Sequence, residues 1–158
     1  MGSCFAGKFY FKDFKLYYAD FRKGNHQLNK ISPEIAWHII RSYIKGMQSE
    51  HELFDSEMFE ELPQKRKSVT ESVFKLIEEQ VYPWLENLYS QNGFWDDQDL
   101  ASYVRNNKLI CDYYPAIFCD EAQDFTKIEL EILNGCSMYH NKQVQAYDLA
   151  KVPIAFAG

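Results

Sequence analysis

The hydrophobic pattern of the chain has a helical period up to about residue 107 and a different texture beyond it. Residues 9–11, FYF, read as a short strand. Phe14, Tyr17, Tyr18 and Phe21 then recur at helical spacing, which predicts an amphipathic helix ended by Gly24-Asn25. Ser32-Pro33-Glu34 is a helix start, with Ser as N-cap, Pro at the first helical position and Glu in the first turn. That helix carries Ile35, Ile39 and Tyr43 on one face with Ala36, Ile40 and Ile44 beside them; it places Arg41 and Lys45 toward solvent and stops at Gly46. Asp55 caps a short helix to Leu62, closed by Pro63. Ser68 or Thr70 opens a long helix with Val69, Val73, Leu76, Ile77, Val81, Trp84, Leu85 and Leu88 inward. Pro83 lies inside that pattern and removes a backbone hydrogen bond, so it should kink or split the helix near Glu79. Asn92-Gly93 ends it. Asp96 or Asp97 caps a further helix to about Asn106, with Leu100, Tyr103 and Val104 facing in.

Past Asn107 the apolar residues gather in short runs. Residues 115–119, PAIFC, have the composition of a strand buried on both faces, as in parallel sheets. Thr126-Lys127-Ile128-Glu129 is a capping box that launches a helix with Ile128, Ile132 and Leu133 inward. Residues 153–157, PIAFA, form a second buried-type strand. Strand, helix, strand in that order predicts a right-handed parallel βαβ unit. The expected fold class is therefore α/β and predominantly helical: a helical subdomain over residues 1–108, then a small parallel βαβ piece over 109–158. The chain stops at the end of a strand, which reads as an excised piece, and an incomplete sheet would leave an edge open to self-association.

Composition narrows the function classes. The formal net charge is −6, whereas an autonomous nucleic-acid binder usually carries a basic excess, so any DNA contact needs a local patch or further parts of a larger protein. The one dense basic run, Lys65-Arg66-Lys67, and the pair Arg41 and Lys45 can meet phosphate, but both also have the composition of a solvated surface. The aromatic stripe at Phe14, Tyr17, Tyr18 and Phe21 can stack bases, yet its single helical face fits core packing better. Cys4, Cys111, Cys119 and Cys136 form no C-x-x-C pair, which argues for reduced thiols and against a zinc site. No 18-residue apolar stretch and no signal-like N-terminus is present, so no membrane partner and a cytoplasmic location are expected.

One segment carries chemistry. In residues 117–124, IFCDEAQD, an apolar strand runs directly into an acidic tip. Ligands of open α/β sheets bind beyond the carboxyl ends of strands, and two adjacent carboxylates there suit Mg-nucleotide chemistry. The sequence Asp120-Glu121-Ala122-Gln123-Asp124, followed by Phe125-Thr126 and a capped helix, resembles motif II, the Walker B box, of UvrD/Rep-like superfamily I DNA helicases. Residues 94–100, FWDDQDL, resemble the acidic segment upstream of motif II in that family, and residues 40–46, IRSYIKG, resemble a piece of its inserted helical region. The resemblance implies a RecA-like P-loop NTPase sheet in the second part of the chain, and ATP and Mg²⁺ as cofactors of the intact parent. It also implies DNA and the remaining helicase domains as partners. By position, Asp120 would coordinate Mg²⁺ and Glu121 would be the catalytic base. Gln123 and Asp124 would couple the nucleotide site to neighbouring motifs, and the strand at residues 153–158 would begin motif III.

The 158 residues contain no G-x-x-x-x-G-K-[ST]. Without that loop the phosphates have no backbone cradle and no lysine. The expectation is a helicase fragment whose parent unwinds DNA with ATP, while the fragment alone binds no cofactor and turns nothing over. The alternative is a non-enzymatic helical interaction module that retains a decayed motor strand. A metal-dependent hydrolase built on Asp120, Glu121 and Asp124 ranks below both, because His26, His38, His51 and His140 are scattered without a ligand pattern. Asp96, Asp97 and Asp99 are read as helix-capping residues rather than metal ligands.

Overall fold

The computed structural model describes residues 7–50, 52–110, 112–138 and, by backbone only, 154–156. Cys4, Cys111, His51, His140 and Pro153 lie outside the described residues. The chain is mostly helical and forms two compact units, Met1–Asp99 and Leu100–Gly158. Among the described residues, no helix is long and apolar enough to cross a membrane.

The first unit opens with strand β1 (Gly7–Lys8), which pairs in parallel with β2 (Phe94–Trp95). The expected strand at residues 9–11 is therefore displaced. Phe9 N–H donates to Trp95 O at 2.7 Å and closes the pairing, while Phe11 already belongs to helix α1 (Phe11–Phe21). The cause is Asp13, whose carboxylate accepts from Tyr10 N–H at 3.0 Å and so starts the helix just after Tyr10. Helix α2 (Pro33–Ile39) begins as its cap predicts, with Ser32 Oγ accepting from Ile35 N–H. It continues as a π-helical segment over Ile40–Lys45. Asp55 caps α3 (Ser56–Glu61) through Met58 N–H at 2.9 Å.

Helix α4 (Glu71–Leu76) passes through a second π segment, Ile77–Val81, into α5 (Tyr82–Asn92). This is the structural form of the disturbance expected at Pro83. The missing proline N–H deprives Glu79 of its α-helical donor, and the ladder widens to i→i+5 spacing just upstream instead of breaking. Gly93, at φ 68°, caps α5 in the left-handed conformation that glycine adopts freely.

The core of this unit is aromatic. Phe14 and Tyr18 of the α1 stripe are fully buried and stacked with centroids 5.1 Å apart, and Phe59 stacks on Phe74 at 4.2 Å. Ile39, Ile40, Ile44, Ile77, Val81 and Leu85 fill the space between. The stripe is thus packing for Phe14 and Tyr18, with Tyr17 left exposed.

Helix α6 (Asp97–Asn106) leads into the second unit. Its expected inward residues are not its buried ones: Leu100 and Tyr103 are exposed and Val104 half-buried, whereas Gln98 and Ala101 are buried. The start of the helix is anchored by the buried Asp96 and the partly buried Asp99, and that anchoring sets its rotation. Strand β3 (Ile117–Cys119) pairs in parallel with β4 (Ile154–Phe156), in the register Ile117 to Ile154 and Cys119 to Phe156. Helix α7 (Lys127–Gly135) lies between them in sequence, which gives the expected parallel β-α-β order. β3 is not buried on both faces: Cys119 is buried, Ile117 half-buried, and Phe118 is 81% exposed. A two-stranded sheet has too few layers to cover both sides of a strand.

Candidate functional site

β3 ends at Cys119, and the acidic tip begins at the next residue. Asp120 and Glu121 are both exposed. Asp120 Oδ1 accepts from Glu121 N–H at 3.0 Å, which folds its carboxylate back over the turn. Glu121 sits at φ 49°, ψ 44°, in the left-handed region that residues with a Cβ seldom occupy. That conformation turns the chain sharply off the strand into a single 3₁₀ turn, Ala122–Asp124, closed by Asp124 N–H to Glu121 O at 2.9 Å. The Gln123 side-chain amide donates to Glu121 Oε2 and fixes the carboxylate. Asp124 is exposed on the same turn.

The turn is held from below by the α7 cap. Thr126 is buried; its Oγ1 accepts from Glu129 N–H at 3.4 Å, and Glu129 Oε2 accepts from Thr126 N–H at 2.7 Å. Ile128 is fully buried, with Ile132 and Leu133 half-buried on the same helix. All four residues expected in the site, Asp120, Glu121, Gln123 and Asp124, therefore lie on one five-residue turn at the carboxyl end of a parallel strand.

The donor set can be tested against a magnesium ion. Among the described residues, no group of three or more His, Cys, Asp or Glu side chains could hold a metal by itself. Mg²⁺ accepts one or two protein carboxylates when water and phosphate oxygens complete its shell. One exposed Asp120 carboxylate beside Glu121 fits that shared arrangement and does not fit a closed, all-protein metal site.

A second charged constellation was missed by the sequence reading. Lys45, expected in solvent, is only 2% exposed. Its Nζ lies 2.7 Å from Asp99 Oδ1, 3.0 Å from Asp96 Oδ2 and 3.4 Å from Glu86 Oε1, and 4.7 Å from the centroid of the Tyr89 ring. Tyr89 OH donates to Asp96 Oδ2 at 3.0 Å. The π segment is the reason: its wider turn shifts the helical phase, so that Lys45 follows Ile44 into the interior. Asp96 and Asp99 also form the cap of α6. Asp96 Oδ1 accepts from Gln98 N–H and Asp99 N–H, and Asp99 Oδ2 accepts from Asp96 N–H at 2.9 Å.

Burial alone would lower the Lys45 pKa, but Asp96, Asp99 and Glu86 outweigh it and hold the ammonium above its ordinary value. Burial raises Asp99, against the pull of Lys45. Tyr82 and Tyr89 are raised by burial first, then by Glu86 and Asp96 respectively.

The basic run does not present three open cations. Lys67 Nζ is bound to Glu71 Oε1 at 2.7 Å and to Glu60 O at 2.8 Å, with its side chain 7% exposed.

Compared with protein-family models, curated proteins and solved structures, the chain matches none of them.

Proposed function

We propose that this chain is part of the ATP-driven motor of a UvrD/Rep-like superfamily I DNA helicase, in which Asp120 and Glu121 are the magnesium and water-activating carboxylates. The observation that carries the reading is the position of the acidic turn. It lies directly beyond the carboxyl end of β3, a strand in parallel pairing, and is followed at once by a capped helix. Ligands of open α/β sheets bind at that end of the strands. The exposed Phe118 supports the same reading, since parallel sheets are ordinarily covered on both faces and this one leaves a large aromatic uncovered.

In this reading Asp120 holds the hydrated ion of a bound Mg-nucleotide. When bound, the ion would offset charge on the phosphate oxygens. Glu121 takes the proton of the attacking water, and Gln123 keeps its carboxylate aimed. The phosphate cradle comes from a segment other than these 158 residues, which contain no such loop. The isolated chain is therefore expected not to hydrolyse ATP.

The test is DNA-stimulated ATP hydrolysis by the full-length gene product. Glu121→Gln should lower turnover by about 10²-fold or more, the range of a lost acid–base group, and Asp120→Asn should lower it by removing the magnesium ligand. Wild-type turnover in either variant, or a gene product with no phosphate loop, overturns the proposal.

A further inference from the structure

The segment between α3 and α4, residues 63–70, is tied down through its backbone and open at its side chains. Pro63 forces Leu62 out of the helical region and ends α3. Gln64–Arg66 then make a single 3₁₀ turn, closed by Arg66 N–H to Pro63 O at 2.8 Å. Tyr43 OH donates to Arg66 O at 2.6 Å, which fastens the turn to the π segment that follows α2. Lys67 fastens it a second time. Its Nζ donates to Glu60 O at 2.8 Å and to Glu71 Oε1 at 2.7 Å, and stands 5.7 Å from the centroid of the Phe59 ring. Lys65, Arg66 and Ser68 are left exposed between and beside these two ties. Among the described residues, none of their side chains has a hydrogen-bond or ion-pair partner.

Charge and chemistry narrow what meets this loop. Lys65 and Arg66 are open cations on a chain of net charge −6, and they stand three and two residues before a primary hydroxyl. Ser68 is the one serine or threonine of the sequence with basic residues at both of those offsets. Kinases select substrates by such charge patterns: an acidic groove pairs the basic side chains and so delivers the hydroxyl to the nucleotide. The backbone suits a groove as well, being extended at Lys67, with φ −86° and ψ 112°. Neighbouring hydroxyls fit less well. Thr70 Oγ1 is engaged with Ser72 Oγ at 3.0 Å, and the residue three before Thr70 is the fastened Lys67. Ser32, preceded by Lys30, already uses its hydroxyl in the α2 cap.

We infer that Ser68 is a phosphorylation site, the acceptor for a protein kinase that reads basic residues on the amino-terminal side of its target. Ser68 Oγ attacks the γ-phosphorus of the nucleoside triphosphate held by the kinase. The new O–P bond forms as the bond to the β,γ-bridging oxygen breaks. The nucleoside diphosphate leaves, and the hydroxyl proton passes to the kinase's catalytic carboxylate. The product places about −1.5 to −2 charges beside Lys65 and Arg66, which cancels the open cations of the loop. Neither tie of the loop uses the Ser68 hydroxyl, so the folded unit can carry the modification. The inference does not rest on the motor reading, because it uses neither Asp120 nor Glu121.

The experiment incubates the whole chain with Mg-ATP and the catalytic subunit of a cyclic-AMP-dependent protein kinase, and maps the product by peptide mass spectrometry. One phosphoryl group should appear on Ser68 and be absent from Ser68→Ala. The double variant Lys65→Ala, Arg66→Ala should lower the initial rate by about tenfold or more, the scale of lost charge-assisted contacts. Its melting temperature should stay that of the unaltered chain, since both side chains are exposed. Lys65→Arg keeps the charge and should keep the rate. Failure to modify Ser68 overturns the inference, as does transfer to Thr70 in its place. So does a rate that the double variant leaves unchanged.

Discussion

Replacing Lys45 by methionine keeps the length of the side chain and removes its charge, which isolates the role of the buried ammonium. At an effective dielectric constant of about 20, contacts of 2.7 and 3.0 Å each give ~6 kcal/mol of gross attraction. Desolvating the ions costs several kcal/mol each, so the intact network is close to balanced. The variant loses the attraction and keeps the cost, because Asp96 stays buried and Asp99 stays beside it. The expected loss is about 3–5 kcal/mol, a large share of the roughly 5–15 kcal/mol that stabilises a typical domain. Glu86 adds little, as nearly half of its side chain is in solvent. Urea unfolding followed by far-ultraviolet circular dichroism gives the number. Adding Asp96→Asn and Asp99→Asn should restore more than half of the loss, since the amide oxygen still caps α6 while the stranded charge is gone. A loss below about 1 kcal/mol for Lys45→Met, or no recovery in the triple variant, would refute a buried and coupled network.

The same node makes the unit sensitive to alkali. Lys45, Tyr82 and Tyr89 all have folded-state pKa values raised above the ordinary 10.5 and 10.0. Their contribution is complete below those ordinary values and is lost as pH rises toward the folded ones, so urea midpoints should fall steadily above about pH 10. Tyr89→Phe should flatten that fall in the same titration. Glu121→Gly relieves a left-handed backbone that costs a residue with a Cβ about 1–2 kcal/mol, so it should leave stability unchanged or raise it slightly despite removing a side chain; a clear fall in melting temperature contradicts the strain. Phe118→Asp should lower the concentration dependence of sedimentation, and an unchanged profile speaks against association through the uncovered sheet.

What the sequence disclosed follows the range of the forces involved. Ser32, Asp55, Thr126 and Gly93 act within one turn of chain, and each cap stands where its residue type requires. The acidic turn was legible for the same reason: strand, carboxylates and capping box are contiguous. Lys45 was not, because its partners lie 51 and 54 residues away and its burial depends on a change of helical pitch that no periodic pattern announces. The only local hint was an acid pair at a helix start, and capping accounted for it completely. β1 and β2 were missed because two-residue strands paired across 87 positions leave no alternation to read.

The shared duty of Asp96 and Asp99 bears on how this unit can diverge. Each acid serves the lysine and the helix start together, so a lone change at position 45 strands two carboxylates that the helix still needs. Position 99, where a third of the side chain reaches solvent, is the cheapest to neutralise first. Descendants that have lost the lysine should therefore carry an amide or hydroxyl at 99, then at 96, and positions 45, 96 and 99 should vary as a set.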